Sequence, residues 1–173
     1  MLPPAFKFPE PVGLDITIIL VSYNTCEILL RCLESIKKHT QGMTHEVIVV
    51  DNASSDGTVE AVGKYFPEIK VIANADNRGF SAANNQGVVS SKGRKIALLN
   101  PDTLLTENSF QKILTYMEAH SEYSILGSGI IDENNQPCPI RLWEDRPQDA
   151  AWKILGLYNP ENELQRMGEL KPK

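Results

Sequence analysis

The stretch ITIILVSYNTCEILLRCLESIKKHT, Ile16 to Thr40, followed five residues later by EVIVVD, Glu46 to Asp51, decides the fold. Ile16 to Val21 is a short apolar run, rich in β-branched residues, that stops at the polar Ser22; it reads as a buried strand. In the next segment Ile28, Leu29, Cys32, Leu33 and Ile36 recur at helical spacing. Asn24 stands three residues before Glu27, the spacing of a capping box with Asn as the cap. Glu46 to Asp51 repeats the buried-strand pattern. A strand, a helix of this length and a second strand predict a βαβ crossover and therefore parallel pairing.

The same alternation continues outward. NASSDG is a turn cluster that feeds a helix from Thr58 to Tyr65, Ile69 to Ala73 is a shorter strand, and Ser81 to Lys92 is a helix of small residues. Lys95 to Asn100 is a fourth strand, after which Pro101 forbids helix at Asn100. Thr106 is expected to cap a helix reaching about His120, and Ser124 to Ile131 to form a fifth strand. The expectation is an α/β domain over residues 14–131, a mainly parallel Rossmann-like sheet with helices on both faces. A Pro-rich leader, 1–13, precedes it. Residues 132–173 carry more Pro and two Trp, and read as the start of a further, incomplete region.

Composition narrows the function classes. The 173 residues include 17 Lys and Arg against 22 Asp and Glu, a net charge of −5, which argues against a general nucleic-acid binder. An anionic ligand must then be held locally, by a cation, an Arg or backbone N–H groups. Cys26, Cys32 and Cys138 make an odd count without a CxxC pair, so a disulfide scaffold or structural zinc site is not expected, and a reducing compartment is the simpler reading. The longest apolar run is far short of the ~20 residues that span a bilayer. The expectation is a soluble, cytoplasmic chain or a soluble piece of a longer one.

In an open parallel sheet, ligands sit beyond the carboxyl ends of the strands, where the strand order reverses. Each expected strand ends in polar residues: Ser22-Tyr23-Asn24, Asp51-Asn52, the run Asn74 to Gly79, and Asn100-Pro101-Asp102. Four such ends on one rim form a constellation rather than a lone motif.

The stretches VSYN (Val21 to Asn24), DNASSDGT (Asp51 to Thr58), NRGFSAANNQG (Asn77 to Gly87) and LNPDT (Leu99 to Thr103) resemble, in order and spacing, the nucleotide-sugar-binding half of family 2 glycosyltransferases of GT-A fold. The likeness is nearest to rhamnosyltransferase-like members that build bacterial surface polysaccharides, and extends over roughly residues 14–142. It implies a site made of Ser22, Tyr23, Asn24, Asp51, Arg78, Gly79, Asn84 and Asn100. With that ligand placed, Tyr23 offers a flat face to a uracil or thymine ring, or packs on its own helix. Asp51 accepts the base N3–H, and capping of its turn is not exclusive with this. Asn52 reads as a turn former, and Asp56 as either a turn former or a ligand contact. Arg78 offers a planar fork to phosphate or is an exposed loop residue, while Gly79 permits a positive φ or a close backbone approach. Asn84 faces the donor in the resemblance. Ala82, Ala83 and Gly87 allow close approach of ligand or simply of helix to sheet.

Asn100-Pro101-Asp102 occupies the place of the family's DxD motif, with Asn for the first acid. Asp102 is the expected ligand of Mn²⁺ or Mg²⁺, shared with diphosphate oxygens. The resemblance implies inverting transfer from a UDP- or dTDP-linked sugar to a saccharide or lipid-linked acceptor. It places the catalytic base in an acidic segment further downstream than Lys173, so Glu144-Asp145 is not assigned that role, and the chain is expected to be truncated at its C-terminus. A non-catalytic nucleotide-sugar-binding or interaction module is the alternative. The apolar segment Ala150 to Tyr158 packs on a sheet or rests at a membrane interface, and family members act at the inner membrane face. Pairing of two copies through an uncovered sheet edge is a further expectation. His39, His45 and His120 have no ligand spacing and read as surface or capping residues.

Overall fold

A computed structural model of the chain describes residues 10–132 and 136. The chain divides into two compact units, Met1–Leu126 and Gly127–Lys173. The first carries β1 (Leu14–Ser22), α1 (Cys26–His39), β2 (His45–Asp51), α2 (Thr58–Tyr65), β3 (Lys70–Ala73), α3 (Phe80–Ser90), β4 (Gly93–Leu99) and α4 (Ser109–Ala119). The strands form one sheet in the order β3-β2-β1-β4, and every pairing is parallel. The expected α/β architecture is present.

The period-2 alternation of the strands sorts their side chains between two layers. Ile16, Ile18 and Leu20 of β1 and Val47 and Val49 of β2 meet Leu29, Cys32, Leu33 and Ile36 of α1, Val62 of α2, and Phe110 and Leu114 of α4. On the opposite face Ile19, Ile48 and Val50 pack with Ala83 of α3. Each large aliphatic side chain buried this way contributes about 1.5–3 kcal/mol relative to exposure. Gly87 explains how α3 lies so close to β1: a Cβ there would come 2.5 Å from Cγ2 of Ile19. For Ala83 and Gly87 the packing reading is therefore the one the fold uses.

Three local expectations are corrected. Ser124 to Ile130 form no strand, and Ile131 makes only an isolated bridge. Gly127 and Gly129 interrupt that run, supplying no side chains to pack and raising the entropy cost of extension. Thr106 does not cap α4. Asn108 does, its Oδ1 accepting the Gln111 N–H at 3.2 Å, so the helix starts later than expected. Asn24 is not the cap of α1 either; Thr25 holds that position without a side-chain bond. Cys32 lies fully buried and Cys26 half-buried, while Cys138, Arg141, Trp143, Glu144-Asp145 and Ala150 to Tyr158 lie outside the described residues. No helix among the described residues is long and apolar enough to cross a membrane.

Candidate functional site

Because all four strands run the same way, their polar ends share one rim. Register aligns Ser22 with Asp51 and Asp51 with Ala73, while Leu99 aligns with Leu20, which sets Asn100 beside the end of β1. The chain moves from β1 outward to β2 and β3, then returns past β1 to β4. The order thus reverses between β1 and β4, where Ser22-Tyr23-Asn24 faces Asn100-Pro101-Asp102 across the crevice that such reversals create.

The β1–α1 and β2–α2 loops are stitched together. Asn24 adopts φ 52°, left-handed for a residue with a side chain. Its Oδ1 accepts the Ser55 N–H at 2.8 Å, and its own N–H donates to Ser54 Oγ at 2.9 Å. Asp56 reaches back: Oδ2 accepts the Cys26 N–H at 2.8 Å, and Oδ1 accepts the Thr58 N–H at 3.2 Å and the Thr58 hydroxyl. One carboxylate therefore serves the first turns of both α1 and α2, where anionic acceptors are favoured. The Thr58 hydroxyl, aided by the Cys26 and Thr58 N–H groups against a desolvation penalty, holds the Asp56 carboxyl below its ordinary range. Of the two readings of Asp56, the turn-forming one accounts for both of its oxygens.

Asp51 closes β2 and is 1% exposed. Its Oδ2 accepts the Ser54 N–H at 2.9 Å and its Oδ1 accepts the Ser54 hydroxyl. Tyr23, by contrast, is 51% exposed at the rim. Ser22 is buried and its hydroxyl pairs with that of Thr25 at 2.9 Å, a bond that braces the turn.

A polar network missed at the level of sequence joins the next two loops. Asn52, buried, accepts from the Asn74 amide at 2.9 Å and donates to the Gly79 carbonyl at 3.3 Å; Asn74 and Gln86 exchange two amide bonds of 2.9 Å each. It fastens the Asn74 to Gly79 loop to β2 and α3. Gly79 has φ 79°, a conformation that favours glycine, and starts α3 with its N–H on Asn77 Oδ1. Arg78 is exposed and touches Asp76 at 3.4 Å, a pairing weak enough for a stronger anion to displace. Asn84 is buried and donates to the Phe80 carbonyl within its own helix at 3.0 Å.

Across the crevice, the Asn100 carbonyl accepts the Thr103 N–H in a tight turn that leaves Asp102 exposed. From beneath, the Cys32 thiol approaches the same carbonyl at 3.9 Å, and Ser35 Oγ accepts the Leu105 N–H at 3.0 Å. Burial, with the negative charge of Asp102 adding to it, pushes the Cys32 thiol up to about 12. Among the described residues no three His, Cys, Asp or Glu side chains gather as a metal cage. One exposed carboxylate suits a hard cation that takes its remaining ligands from diphosphate and water, as Mg²⁺ does. The donor set fits a cation brought with the donor rather than held in advance.

The family model for glycosyl transferase family 2 matches residues 17–163. The chain belongs to that family. As a family 2 glycosyltransferase it is 33% identical over 69% of its length to the succinoglycan biosynthesis protein ExoO of Rhizobium meliloti, covering 33% of that protein. It is 31% identical over 61% of its length to the minor teichoic acid biosynthesis protein GgaB of Bacillus subtilis, covering 12% of it. The chain thus spans a third or less of these two relatives. Among solved structures, S. aureus TarS 1–349 in complex with UDP superposes with TM-score 0.56 at 22% identity, over 62% of this chain and 33% of that one. A mannosyltransferase from Pyrobaculum calidifontis, in complex with GDP-Man and Mn²⁺, superposes with TM-score 0.50 at 25% identity, over 61% and 34%. The chain therefore has the GT-A-type α/β fold that its four motifs imply.

Proposed function

We propose that this chain carries the donor site of an inverting glycosyltransferase and binds a UDP- or dTDP-linked sugar with Mn²⁺ or Mg²⁺. The observation that carries the reading is the gathering of the four polar strand ends on one rim, the β1 and β4 ends at the reversal point, with Tyr23 half-exposed after β1 and Asp51 buried at the end of β2. Tyr23 stacks the base and Asp51 accepts its N3–H. Arg78, released from Asp76, and the backbone at Gly79 address the diphosphate and sugar, with Asn84 and Asn100 lining the donor side. The similar mannosyltransferase in complex with GDP-Man and Mn²⁺ supports the use of a divalent cation, and Asp102 is the residue proposed to hold it.

When bound, the cation stabilises the charge that develops on the departing diphosphate. The acceptor hydroxyl oxygen attacks the anomeric carbon on the face opposite the diphosphate. The bond from that carbon to the diphosphate oxygen breaks, and the hydroxyl proton passes to a general base. The base is proposed to lie in an acidic segment downstream of Lys173, as the family resemblance implies. The acceptor, saccharide or lipid-linked, is proposed to be met at the cytoplasmic face of a membrane.

Calorimetric titration of the 173-residue chain with UDP and dTDP tests the reading. Binding that strengthens with Mn²⁺, and loses that increment in Asp102→Ala, is expected. Heat that ignores the metal and survives Asp102→Ala removes the cation from the proposal.

A further inference from the structure

At the opposite end of β4 from the proposed donor rim, the turn that follows α4 shapes a small hollow. The His120 N–H donates to the Tyr116 carbonyl at 3.0 Å and the Tyr123 N–H to the His120 carbonyl at 3.2 Å, so the chain folds back as the helix ends. Three rings cluster as a result. Tyr116 and His120 stack with centroids 4.3 Å apart, and Tyr123 lies 6.3 Å from Tyr116 with the ring planes inclined by 22°. Both tyrosines remain nearly half exposed.

The hollow beside this cluster has a volume of about 230 Å³ and reaches from α4 to the start of β4. Sites for drug-sized ligands run to about 300–1,000 Å³, so this one suits a single ring. Leu114 and Met117 supply its apolar part and Tyr123 its aromatic edge. Glu118 and Ser121 follow at helical spacing on the same side of α4 and its turn, bringing a carboxylate and a hydroxyl. From β4 come two cations of different standing. Arg94 is held in place: its Nη2 donates to Asp15 Oδ1 at 2.9 Å and lies 3.6 Å from Glu118 Oε1, and Asp15 in turn accepts the Thr44 N–H and hydroxyl at 2.8 Å each. Lys95 is exposed, and among the described residues no carboxylate pairs with it.

We infer that this hollow is a saccharide site that takes one sugar ring bearing an anionic substituent. The C–H face of the ring rests on Tyr123 and Met117, its hydroxyls exchange hydrogen bonds with Ser121, Glu118 and Arg94, and the anionic group pairs with Lys95. A flat apolar ligand would strip water from those polar groups without replacing their hydrogen bonds. A bare anion would leave the aromatic and apolar surface unused. Lys95 precedes Asn100 by five residues, roughly 16 Å along a strand, so the hollow is separate from the donor rim and does not rest on the nucleotide reading.

The test titrates the ¹⁵N-labelled full chain with glucose 6-phosphate, glucose and inorganic phosphate and follows amide shifts. Glucose 6-phosphate is expected to move residues 94–95 and 117–123, and to bind about fivefold tighter than either glucose or phosphate, the scale of one exposed charge pair. Lys95→Gln should lower its affinity to that of glucose, and Tyr123→Leu to that of phosphate. Lys112→Gln, at the other end of α4, makes the same change in charge and should leave binding unaltered. The comparison of ligands on the wild-type chain decides even where a variant fails to fold. Phosphate that binds as tightly as glucose 6-phosphate reduces the hollow to an anion contact and overturns the proposal. Glucose that binds as tightly overturns the pairing with Lys95, and shifts absent from these residues overturn the site itself.

Discussion

Gly93→Ala is the perturbation whose magnitude follows most directly from the coordinates. Gly93 opens β4 and pairs with Leu14, and a Cβ built on it would lie 2.4 Å from the Thr17 nitrogen, 2.5 Å from the Ile16 carbonyl carbon and 2.9 Å from Ile16 Cα. All three atoms are backbone of the central strand, so no side-chain rotation relieves them. Restoring ordinary contact means opening β1 from β4 by about 1 Å, against a strand spacing near 4.8 Å. That movement also strips the Thr17 hydroxyl of the Gly93 N–H at 2.8 Å and the Lys92 N–H at 3.2 Å. Overpacking costs about 1–3 kcal/mol, the two hydrogen bonds about 1 kcal/mol each, and the stiffer unfolded chain returns about 0.4–1 kcal/mol. The net is roughly 3 kcal/mol of destabilisation. Urea unfolding of the full chain, followed by circular dichroism, should show the midpoint fall by about 1.5 M at an m-value near 2 kcal/mol/M. Gly63→Ala in α2 is the control, since nothing lies within 4 Å of its Cβ, and helix propensity predicts a gain of about 1 kcal/mol. A Gly93→Ala midpoint within 0.25 M of wild type (roughly 0.5 kcal/mol) refutes the reasoning.

Other outcomes follow from single contacts. Asp56→Ala should destabilise the domain by about 1–2 kcal/mol through the uncapped first turns of α1 and α2, with Asp56→Asn recovering part; equal stability of all three proteins in thermal melts contradicts the double-cap assignment. Asp15 is held down to about 2 by the Thr44 backbone N–H, then the Thr44 hydroxyl and Arg94. Its folded pKa lies below the unfolded value near 4, so its contribution is fully present above pH 4 and fades as pH falls towards 2. The urea-midpoint gap between wild type and Asp15→Asn should close over that window, and a gap constant down to pH 2 contradicts it. Cys32, buried and pushed up to about 12, should resist iodoacetamide at pH 8 in the folded chain and react in urea, read by peptide mass spectrometry. Labelling of native Cys32 as fast as that of half-buried Cys26 would show the α1 packing to be wrong.

The strand and helix succession was legible because β1 and β2 are buried on both faces and must be apolar throughout, and because α1 keeps a clean helical period. The rim followed from parallel pairing, since parallel strands place all their carboxyl ends together. What was not legible depends on contacts between residues far apart in the chain. Asn24 has the capping-box spacing, yet its side chain is taken by Ser55, and α1 receives its acceptor from Asp56, 30 residues after Cys26. Ser35 steadies Leu105 across 70 residues, with no local pattern to announce it. The Asp51–Ser54 bond is the exception: a short side-chain-to-backbone turn has a sequence signature, and Asp followed three residues later by Ser displays it. Ser124 to Ile131 looked strand-like by composition, but a strand is defined by its partner, and two glycines weakened the case.

The central claim is that one rim grips a pyrimidine nucleotide at its base and, through a cation, at its pyrophosphate. Amide chemical-shift mapping of the ¹⁵N-labelled chain during titration with UDP, first with Mg²⁺ and then with trace Mn²⁺, addresses it most directly. The account predicts shifts concentrated at residues 22–25, 51–57, 74–80 and 100–104, with Mn²⁺ broadening centred on Asp102. Shifts gathered instead at the opposite ends of the strands, around residues 14, 45 and 93, would contradict it.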